Sequence, residues 1–182
     1  MKYVFFVCLG CCLVVARAHG QRTSDLADSV QASPDFSFIT FDAQKILSAD
    51  LKGKVIVLDF WSTDCTPCRK SMPQLEDFYK QYRNNPNVAF YLVNSGWESF
   101  AKAKAFVTSG RSGFLFFSWG RRYDLPFAYD SASATLNAFG FDSNPSTVII
   151  DRHFRIRLKH SGYIEKLKDF LGQRVEKYLA ER

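Results

Sequence analysis

The chain has 182 residues, 47% of them hydrophobic and 23% charged, the balance of an ordinary globular protein. That excludes a disordered chain, a collagen-like repeat and a multi-span membrane protein, and the length suits one domain. With 24 basic and 18 acidic residues the formal charge is +6, too mild on its own to imply a nucleic-acid or lipid partner.

Residues 1–20 read as an address. Met1-Lys2 precedes an apolar run over 3–16, and Ala16-Arg17-Ala18 closes it. A charged start, a short apolar stretch and a small-x-small site make a secretory signal peptide. The run is shorter than the roughly 20 residues that a bilayer span requires. The alternatives are an uncleaved anchor and a lipoprotein, although Cys11 and Cys12 fall too early in the run for lipid attachment. Cleavage after Ala18 or Gly20 removes Cys8, Cys11 and Cys12 and leaves only Cys65 and Cys68. The expected location is therefore outside the cytoplasm, in the periplasm or on the outer face of the cell envelope. Residues 21–34 are polar and lack an apolar period, so a flexible leader is expected there. The domain proper is expected over 35–182, starting with Phe36, Phe38 and Phe41.

Residues 54–60 form a nearly continuous β-branched, apolar run, which predicts a strand buried on both faces. Residues 88–93 and 147–150 read the same way. Over 66–83, Cys68, Met72, Leu75, Phe78, Tyr79 and Tyr82 recur at helical spacing, with Pro73 placed to kink the helix. Residues 98–108 are helical by propensity. Residues 131–139 predict a helix capped by Gly140. Residues 110–122 hold a dense aromatic cluster between glycines, read as an insertion that covers the core or docks a partner. Residues 154–158 alternate apolar and basic, as a charged edge strand would. Ile164, Leu167, Leu171, Val175 and Tyr178 mark a last amphipathic helix. The order predicts an α/β or α+β sheet with helices on its faces and no internal repeat.

Cys65-Thr66-Pro67-Cys68 follows a buried strand and opens a helix. A lone CxxC can be half of a zinc site, but His19, His153 and His160 lack paired ligand spacing and no second cysteine pair exists. The expectation is no metal. At a helix start, partial positive charge and unpaired amides would stabilise a thiolate at Cys65 and make it the nucleophile. Cys68, one turn on and facing inward, would resolve a mixed disulfide. Pro67 stiffens the first turn. The cysteine pair carries both electrons, so no organic cofactor is expected.

The stretch Val57-Leu58-Asp59-Phe60-Trp61-Ser62-Thr63-Asp64-Cys65-Thr66-Pro67-Cys68-Arg69-Lys70, with Pro73 beyond it, resembles the active-site signature of the thioredoxin superfamily. Asn144-Pro145-Ser146-Thr147-Val148-Ile149-Ile150-Asp151 resembles its cis-proline loop and following strand. Leu125-Pro126-Phe127-Ala128-Tyr129-Asp130, taken with the signal peptide, is most similar to exported TlpA/ResA-like thiol–disulfide oxidoreductases. The resemblance spans about residues 35–165. It implies a thioredoxin-like fold with a central mixed sheet flanked by helices. It implies that Asp59 is a buried carboxylate exchanging a proton with Cys68, that Trp61 packs beside the disulfide, and that Pro145 is cis and faces the CxxC. Asn144 would offer its backbone to an extended substrate segment.

Three departures stand out. Asp64 replaces an aromatic residue usual in these families, and a carboxylate beside Cys65 should disfavour its thiolate. A more reducing disulfide is the expectation. The lysine that some thioredoxins place near the aspartate is absent, with Phe90 in its stead. The hairpin at Asp151-Arg152-His153 lacks the usual glycine. The leading function is thiol–disulfide exchange with protein substrates, as a reductant fed by a membrane-embedded thiol reductase. The alternatives are a disulfide oxidase or isomerase, a peroxidase relative, and a binding module with an incidental CxxC. No nucleic-acid partner is expected, and the mature chain should be monomeric.

Overall fold

The computed structural model describes residues 31–109 and 122–181. The signal-peptide segment and the aromatic stretch at 110–121 lie outside the described residues. Eight strands form one mixed sheet: β1 (Gln31–Ala32), β2 (Ser37–Thr40), β3 (Lys45–Leu47), β4 (Val55–Trp61), β5 (Val88–Asn94), β6 (Phe127–Tyr129), β7 (Ser146–Ile150) and β8 (Arg155–Ser161). Their order across the sheet is β1-β8-β7-β4-β5-β6-β2-β3. The helices are α1 (Thr66–Tyr82), α2 (Phe100–Ser109), α3 (Ala134–Ala138) and α4 (Leu167–Ala180).

β4 is central, parallel to β5 and antiparallel to β7, and all seven of its residues are buried. Side chains alternate across a strand, so β4 feeds two cores. Val55, Val57 and Trp61 pack with Cys68, Met72, Leu75 and Phe78 of α1 and with Leu171 and Val175 of α4. Ile56, Leu58 and Phe60 pack on the other face with Leu136, Phe139, Phe141 and Phe36. Asp59 shares the parity of Val57 and Trp61, which puts it on the α1 face.

β4, β5, β7 and α1 stand where the apolar patterns place them, while the last helix starts at Leu167 and leaves Ile164 outside it. Three further details differ. Order begins before residue 35: Gln31 and Ala32 pair with Ile156 and Arg155 on the edge of β8. Such pairing uses backbone alone, so polar side chains conceal it. α2 starts at Phe100 rather than 98, because Ser99 caps it, accepting from Lys102 N–H at 3.2 Å. The 131–139 helix is broken: Ala132 and Ser133 both have φ of 56°, and α3 starts only at Ala134. The buried Asp130 carboxylate accepts the N–H groups of Thr135 (3.0 Å) and Leu136 (2.9 Å), capping α3 from outside the predicted segment. Gly140 closes α3 as expected, with φ of 68°. The β7–β8 hairpin does without glycine because Phe154 takes the left-handed conformation (φ 62°) and the Asp151 carboxylate binds the His153 and Arg155 N–H groups at 2.9 and 3.0 Å.

Candidate functional site

β4 ends at Trp61, and the chain turns through 62–65 into α1. Cys65 is the N-cap of that helix, and Pro67 sits in its first turn, where no backbone N–H is needed. The helix continues past Pro73. Cys65 and Cys68 form a disulfide with Cα atoms 5.3 Å apart. Cys65 is half-buried and Cys68 is almost fully buried. Cys68 N–H donates to Cys65 Sγ at 3.2 Å. The outer sulfur thus lies at the positive end of a 17-residue helix with one amide aimed at it. Both features stabilise a thiolate there. The inner sulfur lies in the core cluster that contains Trp61 and Met72.

Asp59 lies on the face of β4 that α1 covers, the face on which Cys68 packs. It is 1% exposed. Burial raises its pKa from 3.8 to about 7, opposed only in part by the hydrogen bond it accepts from Thr147 Oγ1 at 2.7 Å. Thr147 stands directly opposite Asp59 in the β4–β7 register, and Leu92 is its neighbour on β5. Phe90 is opposite Val57 and packs on Phe78, so the expected lysine position is filled by core. Trp61 is fully buried, with Phe106 and Phe127 each 5.3 Å away by ring centroid and its N–H donated to Leu92 O at 3.3 Å. Its surroundings are those of a core residue, and it presents no face to a substrate.

The Asn144–Pro145 bond is cis. Pro145 O accepts from Gly162 N–H at 2.8 Å, whereas the backbone of Asn144 has no partner among the described residues. Its side-chain Oδ1 accepts from Ser95 Oγ at 2.8 Å.

Asp64 does not stand alone beside Cys65. Asp64 is exposed, and Lys102 Nζ lies 2.6 Å from its carboxylate. The negative charge beside Cys65 is therefore paired with a cation 38 residues away in sequence. Lys102 is held above the ordinary lysine range, first by this bond to Asp64 and also by Glu98 at 3.3 Å.

Glu98 is the hub of a cluster that the sequence concealed. Its carboxylate accepts Thr63 N–H (2.8 Å), the Thr63 hydroxyl and the Asn94 amide (2.7 Å). Arg69 closes the other side, donating to Thr63 O at 2.9 Å and Thr66 Oγ1 at 3.2 Å. Together they fasten the segment before Cys65 to the start of α2. The one available signal was Glu98 and Lys102 at i, i+4 spacing, which reads equally as a solvated helix face.

Comparison with known proteins agrees with this geometry. The sequence profile of the Redoxin family matches residues 28–172. The thioredoxin-like protein YneN of Bacillus subtilis is 32% identical over 137 residues, covering 75% of this chain and 73% of its own. The thiol-disulfide oxidoreductase ResA of Bacillus thuringiensis is 27% identical over 143 residues, covering 76% and 74%. Among solved structures, a putative thiol:disulfide interchange protein DsbE from Chlorobium tepidum superposes with a TM-score of 0.67 at 23% identity, over 85% of this chain and 99% of that one. The exposed lipoprotein thioredoxin of Streptococcus pneumoniae gives 0.63 at 25%, over 79% and 99%. The chain belongs to the Redoxin family, and within the thioredoxin superfamily it is a TlpA/ResA-like thiol–disulfide oxidoreductase.

Proposed function

We propose that this chain reduces protein disulfides on the outer side of the cytoplasmic membrane, as a monomer that draws its electrons from a membrane-embedded thiol reductase. The observation that carries the chemistry is the site's grading of exposure: a half-buried Cys65 at a helix start, a buried Cys68 one turn on, and a buried acid on the same face of the sheet. In the reduced protein the Cys65 thiolate attacks one sulfur of a substrate disulfide. A mixed disulfide forms and the other substrate sulfur leaves as a thiolate. Cys68 then passes its proton to the Asp59 carboxylate and attacks Cys65 Sγ. The mixed disulfide breaks, the Cys65–Cys68 bond closes, and the second substrate sulfur leaves. Two electrons have moved to the substrate, and no organic cofactor takes part. An acid that ionises near 7 is matched to that proton transfer at neutral pH. Asn144 and Pro145 would hold the substrate as an extended strand.

The charges around the site support the reducing direction. Strong oxidants owe their potential to a stabilised thiolate. Here Lys102 is bound to Asp64 and Glu98, and Arg69 hydrogen-bonds Thr63 and Thr66, so the side chains are bound to the loop. The outward location is supported by the first 20 residues, whose pattern is that of a signal peptide.

The test is an equilibrium redox titration of the protein expressed from the full-length chain, with Cys65→Ser as control. A two-electron potential near about −270 mV is expected, and one near about −120 mV would overturn the reducing assignment in favour of an oxidase.

A further inference from the structure

Trp97 is 52% exposed, the most exposed large apolar side chain among the described residues. Leu47, exposed to 40%, lies on β3 at the far edge of the sheet. Trp97 instead sits in the loop between β5 and α2. β4 and β5 run parallel and end together, with Trp61 opposite Asn94. The loop therefore emerges at the same end of the sheet as the disulfide.

The loop is held from several sides. Ser95 N–H donates to Trp61 O at 2.9 Å, and Ser95 Oγ donates to Asn144 at 2.8 Å. Ser95 O accepts from Ser133 Oγ at 2.6 Å. Glu98 binds Thr63, and its carbonyl accepts from Tyr129 OH at 2.7 Å. Gly96 has φ of +70°, and a Cβ there would stand 2.0 Å from Asp130 O, so only glycine fits. The loop touches the segment that leads into Cys65 on one side and the cis-proline loop on the other. Trp97 is the side chain that this fixed backbone turns outward. An indole offers a large apolar face and is favourable to bury against another apolar group.

We propose that Trp97 is a specificity-determining residue, which receives an apolar side chain next to the reacting cysteine of an extended substrate segment. The proposal rests on the exchange reaction above. A segment laid along the Asn144 backbone brings the residues flanking its cysteine towards the 95–99 loop. The fitting side chain is apolar, because the charges at this end are already paired, Lys102 with Asp64 and Glu98, and the indole face is what is left to bury.

Single-turnover oxidation of the reduced protein tests this, using protein expressed from the full-length chain. The probes are two cysteine-peptide disulfides that differ only in leucine or serine beside the cysteine, and oxidised glutathione. The native chain is expected to oxidise faster with the leucine peptide. Trp97→Ala should slow that reaction about tenfold, roughly what burying one aromatic contact is worth. It should leave the serine peptide and glutathione unchanged. Trp97→Phe should retain most of the preference. Equal slowing with all three probes would mean that Trp97 supports the fold, and would overturn the proposal. So would an unchanged preference for leucine in Trp97→Ala. A native chain that reacts with none of the three would overturn the exchange reaction itself, and the proposal with it.

Discussion

Asp59 gives the protein a titration near neutral pH. It ionises near 3.8 when unfolded and near 7 in the fold. Between those values the folded state keeps a proton that the unfolded state has released, so stability falls as pH rises through the window. Asp59→Asn is expected to match the native oxidised protein below about pH 4. It should gain on it up to about pH 7 and hold a constant lead above, on the order of 4 kcal/mol at most. Thermal melts across that range check this, and a lead independent of pH would show that the acid does not titrate there. The same variant should lose the limb near 7 in the pH profile of mixed-disulfide resolution. Asp64 and Lys102 make a second pair of expectations. Asp64→Ala removes an anion and leaves Lys102 paired with Glu98 alone, so the Cys65 thiol pKa should fall. Lys102→Ala should raise it. Thiolate absorbance titration reads both, and the shifts should shrink in high salt because the pair is exposed.

At the scale of the element, the β7–β8 hairpin depends on one side chain. Burial alone would push the Asp151 carboxyl up, but hydrogen bonds from Arg155, Arg157 and the His153 amide hold it below the ordinary carboxylate range. It thus contributes stability that is present above the usual carboxylate pKa and lost as pH falls below it. Asp151→Ala should cost about 3 kcal/mol in denaturant unfolding, because Arg157 is left largely buried with one acid fewer. The hairpin also shows why some elements were legible and others were not. The runs of β4, β5 and β7 and the CxxC with its helix are local patterns, readable one window at a time. The broken helix at 131–133 and the glycine-free turn were decided by carboxylates, Asp130 and Asp151, whose partners become visible only once the backbone has folded around them.

At the scale of the molecule, the same division runs through the site. Cys65, Cys68, Asp59 and Pro145 were legible because motif and resemblance place them. Thr147 was quoted within a motif, yet its bond to Asp59 joins residues 88 apart and depends on the β4–β7 register. Glu98 reaches Thr63 across 35 residues and Lys102 reaches Asp64 across 38. No spacing rule connects such distances, since they are set by two parallel strands ending level. The placement of β1 has one more consequence. Gln31 and Ala32 join β8 at Ile156 and Arg155, whereas the cis-proline end of β8 is Ser161, opposite Ser146. Seven residues of strand separate those ends, about 20 Å. β1 runs antiparallel to β8 and covers that strand's edge only at the end away from the sulfur pair. Among the described residues no strand lies beside the rest of that edge, so the reactive pole keeps an open flank while the far end is fastened.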